Sequence, residues 1–267
     1  MIIEETHTPG IIRIDCIDCG KMYPEQDFRE EPFANLLQRS LEMYRYCPAC
    51  EEKRRMETEK KALEDAKKKR YRELPAELIN KCNLPANYIL DRNTKKLFST
   101  PPKKHVAEYI WENQERNLLI SGITGSGKST SVGYVATRLT LQNKKISYCT
   151  LQQLLTKWRD ARRSDHAGAD MMLLNQCFRN DVFIIDEVIG KSKISESGQE
   201  LLFAILEAVN AGCCHAKIWL LGNFFTGSIS QIFDDPEPVL RRLQENFTIA
   251  RIDKKQIIPI TVWEPEK

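Results

Sequence analysis

Long apolar runs are missing from this 267-residue chain. No stretch approaches the roughly 18 residues that cross a bilayer as a helix, so a membrane-spanning protein is not expected. A basic and then apolar leader is missing too. The chain opens Met1-Ile-Ile-Glu-Glu, which gives no secretory signal and sets the expectation of a cytoplasmic protein. Thiols stay reduced there, so nine cysteines do not read as a disulfide framework. Twelve glycines and twelve prolines are too few for long disordered tracts. No internal repeat is present. The net charge of +3 is too small for a chain that coats nucleic acid indiscriminately. The four histidines, His7, His105, His166 and His215, have no catalytic partner by spacing.

Charge is present in unequal shares. Residues 1–50 carry five Lys/Arg and nine Asp/Glu. Residues 51–72 carry ten basic and six acidic residues, and residues 73–267 carry 25 and 22. The chain therefore divides into an acidic head (1–50), a charged connector (51–74) and a near-neutral body (75–267). Lacking Gly and Pro over 51–72, the connector is expected to be a solvated helix.

The head holds Cys16-Ile-Asp-Cys19 and Cys47-Pro-Ala-Cys50. Two short C-x-x-C loops can aim four thiolates at one tetrahedral ion, and Zn²⁺ suits four soft ligands. The spacing between the pairs exceeds the usual 15–20 residues or so, and a short helix carrying Phe33, Leu36, Leu37 and Leu41 would fill it. Reduced core thiols and an iron–sulfur cluster are the other readings of the same residues. A head this small buries little core, so a metal would supply stability.

The strongest motif is Gly122-Ile123-Thr124-Gly125-Ser126-Gly127-Lys128-Ser129. It follows an apolar run, Asn117–Ser121, and opens a helical pattern, Ser129–Gln142. Strand, glycine-rich loop and helix N-terminus together cradle phosphate. Lys128 is expected on the β- and γ-phosphates of ATP, Ser129 on Mg²⁺, and Thr130 on a phosphate. A second buried run, Val182–Ile185, delivers Asp186 and Glu187 at its end. Asp186 is expected to hold Mg²⁺ through water and Glu187 to orient or deprotonate the attacking water, which points to ATP hydrolysis. A third run, Lys217–Gly222, ends in Asn223, placed to contact the attacking water or the γ-phosphate. Ser197 and Glu200 read as a capping box opening a helix Leu201–Ala211, which Gly212 would stop. With strands at Lys145–Thr150 and Phe247–Ile252, the body reads as a five-stranded α/β sheet with helices on both faces.

Phosphate loop, Asp-Glu pair and strand-end Asn together resemble the AAA+ ATPases. Over roughly residues 75–255 the chain more closely resembles the DnaC/DnaI-type helicase loaders and the IstB-type transposition ATPases. The resemblance implies a parallel sheet in the order 5-1-4-3-2, no C-terminal helical lid, and self-association through an arginine finger supplied in trans. Arg242 matches the finger best, with Arg241 beside it. Two departures weaken assignment to one subfamily: Leu221-Gly222 precedes the Asn where a hydroxyl residue is usual, and Asn210-Ala211 ends the preceding helix where arginine is usual.

Thr150 can cap a helix running to about Arg163, which would carry Lys157, Arg159, Arg162 and Arg163, and Lys191 and Lys193 follow the Asp-Glu pair. The resemblance puts this region near a single-stranded DNA path, with backbone phosphate as the target. An ordinary solvated helix face is the competing reading. The expected function is a DNA-replication accessory ATPase that places a replicative helicase on single-stranded DNA. The alternatives are an IstB-like transposition helper and a nucleotide-switched adaptor that barely hydrolyses ATP. The resemblance favours the loader, because many loaders that this chain resembles carry a cysteine-rich N-terminal helicase-binding domain. The head's acidic surface should repel DNA, and Phe28, Phe33, Tyr44 and Tyr46 suit either a protein interface or the head's own core.

Overall fold

The computed structural model describes residues 11–12, 16–21, 26–27, 46–188, 194–223, 233–253 and 256–260. It divides into two compact units, Met1–Arg72 and Glu73–Lys267. In the first unit, β1 (Ile11–Ile12) pairs antiparallel with β2 (Gln26–Asp27). The expected helix around Phe33–Leu41 lies outside the described residues, as do Phe28 and Tyr44. Helix α1 (Pro48–Asn80) covers the whole charged connector, and the boundary between the units falls inside it. Its central residues are solvent-exposed, as sixteen charged positions among 51–72 require.

The second unit follows the order α2 (Ala86–Ile89), α3 (Lys104–Glu112), β3 (Leu118–Gly122), α4 (Lys128–Leu141), β4 (Ile146–Thr150), α5 (Leu151–Arg163) and α6 (Ala169–Phe178). It continues with β5 (Val182–Asp186), α7 (Glu196–Asn210), β6 (Lys217–Gly222), α8 (Pro236–Asn246), β7 (Thr248–Ile252) and β8 (Ile257–Ile260). The sheet order is β4-β5-β6-β3-β7-β8. Its first five members are all parallel, in the order the resemblance implies. An unforeseen sixth strand, β8, adds antiparallel to β7. Among the described residues no helix follows α8, and none is long and apolar enough to cross a membrane.

Alternation along the strands fills two cores. Leu119, Phe183, Ile185, Ile218, Leu220 and Ile249 face one side, with α5 to α8. Leu118, Ile120, Val182, Ile184, Trp219 and Leu221 face the other, with Leu74, Leu78 and helices α2 to α4. Covering both faces is what a parallel sheet of continuous apolar runs demands. The shared direction of the five parallel strands puts the loops that follow them at one end of the sheet, where ligands bind in such folds.

Helix α7 corrects one expectation. It starts at Glu196, with Ser195 as N-cap, rather than at Leu201. Ser197 and Glu200 therefore lie within the helix, and Glu200 accepts a 2.5 Å hydrogen bond from Arg162 instead of closing a box. Gly212 does end the helix, at φ 69°, with the Cys213 amide bonding back to Ala208 O at 2.9 Å. The cap at Thr150 forms as expected, with Thr150 and Gln153 satisfying each other's amides at 3.2 and 3.0 Å.

Candidate functional site

Three strand ends meet the first turn of α4. β3 delivers the glycine-rich loop, β5 delivers Asp186 and Glu187, and β6 delivers Asn223. The loop needs its glycines for space as well as for conformation. A Cβ at Gly122 would lie 2.5 Å from Ile252 O, so only glycine lets β7 close on this turn. Gly127 has φ 91°, and a Cβ there would lie 2.4 Å from Lys103 Cγ.

Lys128 is buried, and its ammonium donates to Gly122 O (2.6 Å), Ile123 O (3.1 Å), Ser126 Oγ (3.4 Å) and Asn223 Oδ1 (2.8 Å). Burial pushes its pKa down, and the Asp186 charge opposes that. Asn223 Nδ2 in turn donates to Thr124 Oγ1 at 3.4 Å. The phosphate-loop lysine and the strand-end Asn therefore touch, although 95 positions separate them.

Across the loop, Ser129 Oγ donates to Asp186 Oδ2 at 3.2 Å. Tyr88 and Tyr148 also donate to that oxygen, at 3.1 and 3.3 Å. Neither tyrosine belongs to a motif, and nothing in their spacing marks them. Glu187 is exposed and sits at φ 55°, a left-handed conformation uncommon outside glycine. Its amide donates to Asp186 Oδ1 at 2.7 Å, and the next amide, of Val188, donates to Leu221 O at 2.9 Å. The turn after β5 is thereby tied to the strand carrying Asn223. Thr130 Oγ1 bonds back to Gly127 O at 3.2 Å.

Arg242 is not free. Its guanidinium is paired with Glu207, donates to Pro238 O at 3.1 Å and lies 4.6 Å over the Phe203 ring. Only 14% of its side chain is exposed, against 68% for Arg241. The basic face of α5 is partly spent within the fold as well. Arg159 donates to Ser195 Oγ at 3.1 Å and Arg162 pairs with Glu200, while Lys157 and Arg163 are exposed. Lys191 and Lys193 lie outside the described residues.

In the first unit, Cys16, Cys19, Cys47 and Cys50 gather with all four sulfurs within 4.8 Å of one another. Cys19 and Cys47 Sγ are 3.7 Å apart. A tetrahedral ion with Zn–S bonds of about 2.3 Å has S···S edges of about 3.8 Å, whereas a disulfide would need about 2.05 Å. The Cys47 amide donates to Cys16 Sγ at 3.3 Å, as it would to a thiolate. Cys50 is pushed up to about 12, first by its hydrogen bond with Cys47 and then by burial. Four thiols this close cannot all ionise without a cation among them. Arg54 braces the knuckle, with Nε 2.7 Å and Nη2 3.1 Å from the Asp18 carboxylate and the guanidinium 3.8 Å over Tyr46.

The model of the family described as IstB-like ATP binding protein matches residues 55–247. No curated protein matches the chain. Solved structures that resemble it include the DnaC helicase loader, at 14% identity and TM-score 0.45, covering 55% of this chain and 86% of that one. DnaI matches at 14% identity and TM-score 0.45, over 63% of this chain and 94% of that one. AMPPCP-bound DnaA from Aquifex aeolicus matches at 14% identity and TM-score 0.47, over 64% of this chain and 51% of that one.

Proposed function

We propose, for a chain that belongs to the IstB-like ATP-binding protein family of AAA+ ATPases, that it is a cytoplasmic DNA-replication accessory protein. It places a replicative helicase on single-stranded DNA. The observation that carries this reading is the combination in one chain of an ATPase site with a separate four-thiol unit. The first supplies a nucleotide-driven change and the second a rigid surface for a protein partner.

In the ATPase site the loop 122–130 holds the phosphates, with Lys128 exchanging its carbonyl and Asn223 partners for phosphate oxygens. Ser129, and Asp186 through water, would hold Mg²⁺; the two side chains are already 3.2 Å apart. When bound, Mg²⁺ neutralises charge on the transferring phosphoryl group. Glu187 takes the proton of the attacking water, and Asn223 orients that water or the γ-phosphate. Self-association brings an arginine of α8 to a neighbour's site. Lys157 and Arg163 supply contacts to DNA phosphate. A transposition helper acting on duplex DNA is the second reading, and the IstB-like family match favours it.

Crosslinking in the native host, followed by recovery of the full chain with ATP or ADP, separates the two. Recovery of replicative helicase in a nucleotide-dependent manner is expected. A transposase in its place would transfer the function to the second reading.

The four cysteines hold Zn²⁺ in the head. Purified protein is expected to carry about one zinc per chain, through four thiolates. Cys47→Ser should release it and expose residues 1–50 to protease while ATP affinity stays within about twofold. Elemental analysis that finds no zinc in reduced, unchelated protein would remove this assignment.

A further inference from the structure

Asp186 is 4% exposed. A carboxylate this deep needs its acceptors filled, and here the phosphate loop fills only part of them. Ser129 belongs to that loop. The other two donors to Oδ2 do not: Tyr88 comes from α2 and Tyr148 from β4. Both phenols are donors to that oxygen, at 3.1 and 3.3 Å. Their rings meet edge to face, with centroids 5.8 Å apart and planes at 89°, so each ring fixes the other. Two fixed donors on one oxygen, and the Glu187 amide on the other, leave the carboxylate one orientation.

The position of Tyr88 is itself set by a close contact. A Cβ at Gly133 would lie 2.3 Å from the Tyr88 carbonyl oxygen. Helix α2 therefore rests directly on the backbone of α4, the helix whose first turn holds Lys128 and Ser129. From that seat Tyr88 spans to the carboxylate of β5. One side chain thus connects the phosphate-binding helix to the strand opposite it, through a segment that precedes the phosphate loop in sequence.

We propose that Tyr88 and Tyr148 are positioning residues for the divalent cation of the bound nucleotide, acting by holding Asp186 turned toward Ser129. This rests on the reading of Asp186 as the Mg²⁺ carboxylate. The hydroxyls need not touch the cation. Partners one shell out from metal ligands commonly set affinity by 10- to 100-fold or so, because an unrestrained ligand must be ordered when the metal arrives.

The test uses the full-length protein and a fluorescent ATP analogue, titrated in Mg²⁺ and separately in EDTA. Tyr88→Phe and Tyr148→Phe remove one oxygen each and keep the packed rings. Each is expected to weaken binding about tenfold in Mg²⁺ and to leave binding in EDTA unchanged. Half-saturating Mg²⁺ for hydrolysis should rise in parallel. Asp186→Asn is the control, and it should abolish the difference between the two titrations. If Asp186→Asn keeps that difference, the reading of Asp186 as the Mg²⁺ carboxylate fails. If Asp186→Asn loses it while both Phe variants keep the wild-type Mg²⁺ response, even with a lowered melting temperature, the tyrosines are packing residues and the positioning proposal is overturned.

Discussion

Glu187→Gln is expected to bind ATP as tightly as the unaltered protein and to hydrolyse it at least about 100-fold more slowly, in line with the 10²- to 10⁴-fold worth of a positioned general base. The side chain is exposed, so the substitution buries nothing and removes no packing. The amide that bonds to Asp186 Oδ1 belongs to the backbone and survives the change. What is lost is the ability to accept a proton from water. Lys128→Ala should fail at the earlier step. Its buried ammonium sits among loop carbonyls, where it would supply the positive charge for phosphate. Equilibrium binding and single-turnover hydrolysis separate the two variants. Equal loss of ATP binding in both would contradict the roles assigned to them.

The second large effect concerns α8. Arg242→Ala is expected to bind ATP normally and to lose hydrolysis by roughly 10³-fold, the lower end for a missing arginine finger. Mixed with Glu187→Gln, it should regain part of the activity wherever an intact Glu187 meets an intact Arg242. The structure adds a condition to this prediction. Arg242 is held by Glu207, Pro238 O and the Phe203 ring of its own chain. Acting on a neighbour requires it to leave them, so the finger would be presented only when assembly offers a better partner. Arg241, exposed and paired only loosely with Glu245 at 3.8 Å, needs no such release. Arg241→Ala is therefore the companion variant. Loss of turnover there, with Arg242→Ala active, would move the role by one residue.

The parts of this site that were legible in the sequence are those whose chemistry is local. A glycine-rich loop between an apolar run and a helix needs only eight residues to declare itself, and Val182–Ile185 must be a buried strand because nothing in it tolerates water. The Lys128–Asn223 contact was not legible, since the sequence offers each residue to phosphate or water separately and 95 positions separate them. Tyr88 and Tyr148 were invisible, because each donates to a carboxylate 98 or 38 positions away and neither carries a spacing rule. The start of α7 was misplaced because Ser197 and Glu200 have the right types for a box. The true N-cap, Ser195, has its hydroxyl occupied by Arg159 of α5, and Arg162 holds Glu200. Tertiary partners outbid the local pattern. The left-handed turn at Glu187 could not be read either, since glutamate gives no sign of it. Such a conformation costs on the order of 1 kcal/mol, and it places the exposed carboxylate immediately beyond the buried one.

The two margins of the six-stranded sheet bear on how this protein avoids aggregation. At one margin, the Tyr148 amide of β4 is already taken by Cys82 O at 2.9 Å. At the other, β8 is only four residues long and contains Pro259, which has no amide hydrogen to offer. Open strand edges invite other chains to add on without limit, forming fibrous or amorphous aggregates, and short edges, proline and capping segments discourage it. A protein that gathers copies of itself around ATP, as proposed for this one, runs that hazard more than a solitary one does. Blunting both margins leaves helix faces and loops as the surfaces through which copies can meet. The proposed association through such surfaces could be gained and lost with nucleotide, which backbone pairing along a sheet would not readily allow.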